Sequence, residues 1–107
     1  MFTDIRKIRT FMAIVDEGSF TGAANKLNTA QPWISNQLRA LEESIGLTLV
    51  DRSKGKLVRI TPQGWEFHRI AKRMIASLDE GMEQIRGLAQ SERGKLVLGV
   101  DPITLYM

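Results

Sequence analysis

The spacing of apolar positions divides the chain into short amphipathic helices, a hairpin and one long helix. Ile5, Ile8, Met12 and Val15 recur at steps of three and four, with Phe11 beside them. That predicts an amphipathic helix over residues 4–16, ended by Gly18. Ser19 is placed to cap a second, short helix, "FTGAANKLN", with Ala23, Ala24 and Leu27 on its buried side. Its two alanines let another helix approach closely, and Asn28 and Thr29 close it with turn-type residues. Ile34, Leu38, Leu41 and Ile45 then step by four, three and four, so they share one side of a third helix. Thr29 or Asn28 can cap this helix, Pro32 is tolerated in its first turn, and Gly46 stops it.

The outer side of the third helix is chemically distinctive. Pro32, Asn36 and Arg39 lie opposite the apolar stripe, with Ser35 and Gln31 on its flank. Beyond it, Leu49–Val50 and Leu57, Val58, Ile60 read as two short strands around the polar tip "RSKGK", where Arg52, Lys54 and Lys56 crowd together.

From Pro62 to about Ser91 the pattern is one long helix, with Thr61 as its cap. Phe67, Ala71, Met74, Leu78, Gly81, Ile85 and Leu88 alternate steps of four and three, a heptad seam widened by Ile70, Ile75 and Met82. At 1.5 Å per residue the rod is roughly 45 Å long. That is too long to bury its seam against so small a domain, so pairing with a second copy is expected over folding back. Gly81 either permits close helix approach or is a weak point of about 1 kcal/mol relative to alanine. Gly94 is expected to break the helix, and "KLVLGV" reads as a buried strand. The organisation expected is a domain over 1–61, a dimerising helix over 62–92, and the truncated start of another domain over 93–107.

Composition narrows the chemistry. The 107 residues include no cysteine, which excludes disulfides, thiolate metal sites and a thiol nucleophile. His68 is the single histidine; it cannot build a metal site and has no nucleophile beside it, so neither metal nor catalytic residues are expected and an enzyme is the poorest reading. The start, "MFTDIRKIRT", lacks the apolar run of a secretory signal, and no apolar stretch approaches the roughly 20 residues that span a bilayer. A soluble, cytoplasmic protein with no membrane partner is expected. The net charge of +3 is modest, but the excess sits entirely in residues 1–60, which hold nine Lys/Arg against six Asp/Glu. Such an excess suits either a polyanion or an ordinary solvated surface.

Two short helices joined by a tight turn and followed by a β-ribbon constitute a winged helix-turn-helix, in a mainly α chain. The second helix of such a pair is laid in the major groove of DNA. Glutamine can bond bidentately to adenine and arginine to guanine. Serine, asparagine and a helix N-terminus can hold phosphates. Pro32 and Ser35 leave the entry unobstructed, and a cationic wing can reach a neighbouring backbone or minor groove.

The stretch "FMAIVDEGSFTGAANKLNTAQPWISNQLRALEESIGLTLVDRSKGKLVRITPQG" resembles the N-terminal domain of LysR-type transcriptional regulators. The matching pieces are "F...V.E.GSF..AA..L", "QP..S.Q...LE...G..L..R" and "T..G", over residues 11–64. The resemblance implies a sequence-specific regulator that binds a double-stranded DNA operator with an imperfect inverted repeat. It implies a homodimer paired through the linker helix, often a tetramer, and a small-molecule inducer held in an effector domain that follows, with no cofactor in this fragment. By position it puts base and phosphate contacts on Gln31, Pro32, Ser35 and Asn36, with wing cations near Lys54 and Lys56. The family frequently has arginine where Asn36 stands, small residues at Trp33, and phenylalanine at Val50.

Several positions carry two readings. Arg39 is either a phosphate contact or an intrahelix partner of Glu42 or Glu43. Arg52 either braces the wing against a carboxylate or meets DNA. Ser19 is a cap that can also touch phosphate, Thr29 stands at the entry to the reading helix, and Trp33 either fills a packing gap or meets DNA. The alternative for the whole chain is a winged-helix and coiled-coil module that binds protein, not DNA.

Overall fold

The computed structural model describes residues 4–52 and 58–98; of residues 92–98 it describes the helical backbone. The elements run α1 (Ile5–Glu17), α2 (Phe20–Lys26), α3 (Gln31–Ile45), β1 (Val50–Asp51), β2 (Arg59–Ile60) and α4 (Pro62–Leu98). The chain divides into two units, Met1–Met74 and Ile75–Met107, and α4 supplies residues to both.

In the first unit α1, α2 and α3 pack on one another. Their core is Ile8, Phe11, Ala13 and Ile14 from α1, Ala23 and Ala24 from α2, and Ile34, Leu38 and Leu41 from α3. The stripe expected on α1 is therefore rotated. Phe11 and Ile14 are fully buried, whereas Ile5, Met12 and Val15 are only half-buried. The reason is that α1 is covered from more than one side: besides α2 and α3, Phe67 of α4 meets the Phe11 ring edge-on at 5.5 Å. Thr10 is buried too, its hydroxyl donating to the Arg6 carbonyl at 2.9 Å, so that no polar atom is left unpaired there.

The helix ends follow local chemistry. Asp4 caps α1, accepting from the Lys7 N–H at 3.1 Å and from its ammonium at 3.2 Å. These bonds hold the Asp4 carboxyl below the usual carboxylate range. Ser19 caps α2, its hydroxyl accepting from the Gly22 N–H at 2.8 Å. Gly18 and Gly46 end α1 and α3 at φ of 72° and 76°, the left-handed conformation that favours glycine.

The two strands pair antiparallel, Val50 with Ile60 and Asp51 with Arg59. Thr61 then ties this ribbon to α4. Its N–H donates to the Leu49 carbonyl at 3.0 Å, its hydroxyl donates to the Thr48 carbonyl at 2.6 Å, and the Gly64 N–H donates to that hydroxyl at 2.9 Å. The cap expected at Thr61 is thus also a brace. The same knot explains the glycine three residues on: a Cβ at Gly64 would collide with the Leu49 carbonyl oxygen and come within 2.7 Å of the Ile60 side chain.

The long helix differs from expectation at its far end. It continues through Gly94 to Leu98, so the strand anticipated from Lys95 is helical over its described part. A helix satisfies its own backbone hydrogen bonds, whereas a strand needs a neighbour. Among the described residues the ribbon is the only sheet, and none of it pairs with this segment. The rest of that stretch, Gly99 to Met107, lies outside the described residues. No helix is long and apolar enough to cross a membrane among the described residues.

Gly64→Ala is expected to destabilise the first unit by about 1–3 kcal/mol through overpacking against Leu49 and Ile60. The midpoint of urea unfolding, followed by circular dichroism, reads this directly; an unchanged midpoint contradicts the close approach.

Candidate nucleic-acid interface

The inner side of α3 is fixed by burial, which decides what its outer side presents. Ile34, Leu38 and Leu41 have no exposed surface. Gln31, Pro32, Asn36 and Arg39 are exposed and Ser35 is half-buried, so the expected polar face is open to solvent.

The start of α3 differs from expectation. Its N-cap is Ala30, in extended conformation, and no side chain caps it. Asn28 and Thr29 are engaged elsewhere: Asn28 adopts a positive φ of 59°, and the Thr29 N–H donates to the Ala24 carbonyl at 2.8 Å, both closing α2. The first-turn amides of α3 are therefore without a side-chain acceptor, and Pro32, at the second position, removes one of them.

Around this face the polar groups sort into committed and open ones. Arg39 donates to the Asn36 side-chain oxygen at 3.4 Å, and Glu42, one of the two carboxylates considered as its intrahelix partner, pairs with Arg52. Lys26 sits between Asp16 and Glu17, at 3.6 and 3.9 Å. Thr21, on α2, donates to the Gln31 carboxamide oxygen at 3.4 Å, which links the two helices of the turn at the position expected to read a base. No sequence signal singled out Thr21, because helix periodicity does not reveal which exposed residues of two helices meet.

The wing is held by Glu42, expected only as a possible partner for Arg39 and as part of the matching piece "LE...G". One Glu42 carboxylate oxygen accepts from the backbone N–H groups of Leu49 and Val50 at 2.7 and 3.2 Å. The other pairs with Arg52 at 2.9 Å. Arg52 therefore braces the wing through a carboxylate, as one of its two expected readings held. A signal for Glu42 did exist: it follows Leu38 by four residues and Leu41 by one, an acidic residue at the edge of an apolar stripe. Lys54 and Lys56 lie outside the described residues.

Leu27 and Trp33 are not buried as a simple packing account requires; they are 37% and 41% exposed. Together with Arg6, Arg9, Thr10 and Thr29 they line an open recess of about 350 Å³ between α1 and the start of α3. Leu27 is the C-cap of a seven-residue helix, and its side chain faces this recess instead of the core.

The expected dimerisation seam divides. Ala71 is fully buried and Phe67 half-buried by their own chain, so these two belong to the first unit's packing, not to a free seam. The length of the whole helix concealed this, because its first turns have a domain to pack on. Met74, Leu78, Ile85 and Leu88 are 40–60% exposed, and Gly81 is half-buried.

A three-helix core, a solvent-facing second helix of a helix-turn-helix and a strand-paired wing define the winged helix-turn-helix class. The family model for the bacterial regulatory helix-turn-helix protein, lysR family, matches residues 5–65, and the chain belongs to that family. It is 33% identical to the HTH-type transcriptional regulator BenM of Acinetobacter baylyi, over 97% of this chain and 36% of that protein. It is 36% identical to the HTH-type transcriptional regulator BsdA of Bacillus subtilis, over 90% of this chain and 33% of that protein. The chain thus spans about a third of the length of these relatives. Among solved structures, the BenM DNA-binding domain in complex with catB site 1 DNA superposes with a TM-score of 0.79 at 36% identity, covering 84% of this chain and 96% of that one. The CbnR DNA-binding domain–DNA complex gives 0.76 at 28% identity, covering 81% and 99%.

Glu42→Ala should release the wing without unfolding the helices. Amide hydrogen exchange at Leu49 and Val50 is expected to speed up at least tenfold, with a stability loss of about 1–3 kcal/mol for the buried donors left unpaired. Exchange at wild-type rates contradicts the anchoring role.

Proposed function

We propose that this chain is the DNA-reading and pairing part of a transcription regulator. The carrying observation is the division of α3 into a fully buried stripe and an exposed face bearing Gln31, Pro32, Ser35, Asn36 and Arg39. A helix clamped on one side and smooth at its leading end can enter a major groove. Gln31 offers a carboxamide to a base edge, while Ser35, Asn36 and Arg39 offer donors to bases or phosphates. Ser19 and Thr29 flank that turn. Arg52, fixed by Glu42, sets the base of the wing, and its cations Lys54 and Lys56, which lie outside the described residues, are proposed as contacts to the neighbouring backbone. The likeness to two DNA-bound domains of the family supports the reading.

Pairing rests on α4. Met74, Leu78, Met82, Ile85 and Leu88 leave a run of large apolar side chains exposed along one helix, and a second copy of the same helix would cover them. Two reading helices then address an inverted repeat. A small-molecule inducer is proposed to act through a domain outside this chain, and no catalytic or metal role is proposed for its residues.

Specific duplexes are expected to bind in the nanomolar range, about 10³-fold or more over random DNA. Gln31→Ala should cost about 1–3 kcal/mol at one operator position and relax preference there. Selection of bound duplexes from a random pool, followed by sequencing, measures it; an unchanged ranking of operator variants removes Gln31 as the reader. Wild-type chain that retains no duplex at any salt would favour the protein-binding alternative. Separately, Leu78→Glu with Ile85→Glu should leave a monomer in sedimentation at micromolar concentration, and a persisting dimer would place the interface elsewhere.

A further inference from the structure

The recess between α1 and α3 is not explained by the reading helix or the wing. Its lining joins both sides: Arg6, Arg9 and Thr10 come from α1, Leu27 and Thr29 from the turn, and Trp33 from the first turn of α3. Arg6 and Arg9 are one helical turn apart, so they share a side of α1. The buried Thr10 hydroxyl holds the Arg6 carbonyl, which fixes the backbone of that turn. The Arg6 side chain is 81% exposed. The carboxylate facing it is Asp4, at 3.6 Å, and Asp4 is itself held by Lys7 at 3.2 Å and by the Lys7 N–H.

We propose that the DNA-facing surface continues from α3 across this recess onto α1, where Arg6 and Arg9 hold backbone phosphates and the Trp33 ring lies against the adjoining deoxyribose. The proposal rests on the DNA-reading role given above. Two arguments select this occupant. The recess is continuous with the proposed interface, because Thr29, which flanks the reading turn, also lines the recess, and Trp33 in its wall follows Gln31 and Pro32 directly in the first turn of α3. Its chemistry is also complementary to a nucleic-acid backbone: two guanidiniums match phosphate geometry, and the Leu27 and Trp33 surfaces match a sugar, not a solvated ion. The arginines stand on α1, off the helix that reads bases, so they contribute affinity without base preference.

The test compares the wild-type chain with Arg6→Ala, Arg9→Ala and the double variant, using fluorescence anisotropy on a selected duplex and on random duplex across a salt series. Each lost phosphate contact should flatten the slope of log K against log salt by about 0.9 and weaken binding about eightfold at 0.1 M salt, alike for both duplexes. Arg6→Lys with Arg9→Lys should keep the slope, because the charge remains. Trp33→Ala should weaken both duplexes without changing the slope. A double alanine variant that melts like wild type yet keeps the wild-type slope overturns the proposal while leaving the reading helix intact. A changed ranking of operator variants in Trp33→Ala overturns the sugar contact, since the ring would then be reading bases. Loss of all DNA binding by the wild-type chain would refute the DNA-reading role and this extension together.

Discussion

Everything on the outer surface of the first unit is positioned by one constraint: the complete burial of the inner stripe of α3. Ile34, Leu38 and Leu41 sit in a core with Phe11, Ile14, Ala23 and Ala24, and none of these residues exposes more than 4% of its surface. Truncating one such large side chain to alanine typically costs about 2–5 kcal/mol, a large share of the stability of a small domain. The helix therefore cannot rotate without opening the core, and the direction in which Gln31, Asn36 and Arg39 face is set from behind. The alanines of α2 matter in the same way, because a larger residue there would hold the two helices of the turn apart.

The polar groups then divide by how tightly they are bound within the chain. Glu42 takes up two backbone donors and Arg52 at once, so a single carboxylate links α3 to β1. An exposed ion pair alone is worth about 0–1 kcal/mol. Here the importance lies in geometry: the wing leaves α3 at a set place because buried amides require an acceptor there. Thr61 does the equivalent work on the other strand, tying the ribbon to α4 through one side chain and its own backbone. Between these two ties the wing has a fixed base.

The long helix meets two environments along its length. Through Ala71 it contributes to the first unit, with Phe67 against the Phe11 ring. Beyond it Met74, Leu78, Met82, Ile85 and Leu88 are exposed. A heptad pattern marks a helix that seeks a partner, but it does not say where one partner ends and the next begins. That is why the sequence pattern ran unbroken through Phe67 and Ala71, although a folded domain already covers them.

What could be determined from the order of residues alone was mostly local. The helices, the glycine stops at Gly18 and Gly46, the caps at Ser19 and Thr61, and the two-faced character of α3 depend on interactions within a few residues, and periodicity reports them. The resemblance in "QP..S.Q...LE" added the family. What only the tertiary structure decided was which distant side chains meet: Thr21 with Gln31, Glu42 with Arg52, and Arg6, Arg9 and Trp33 around one recess. The cap of α3 belongs with these, since Asn28 and Thr29 were suitable by type but were taken by the turn that joins two packed helices. Such meetings depend on how helices cross, and crossing angles follow from side-chain volume in three dimensions, which no one-dimensional period encodes.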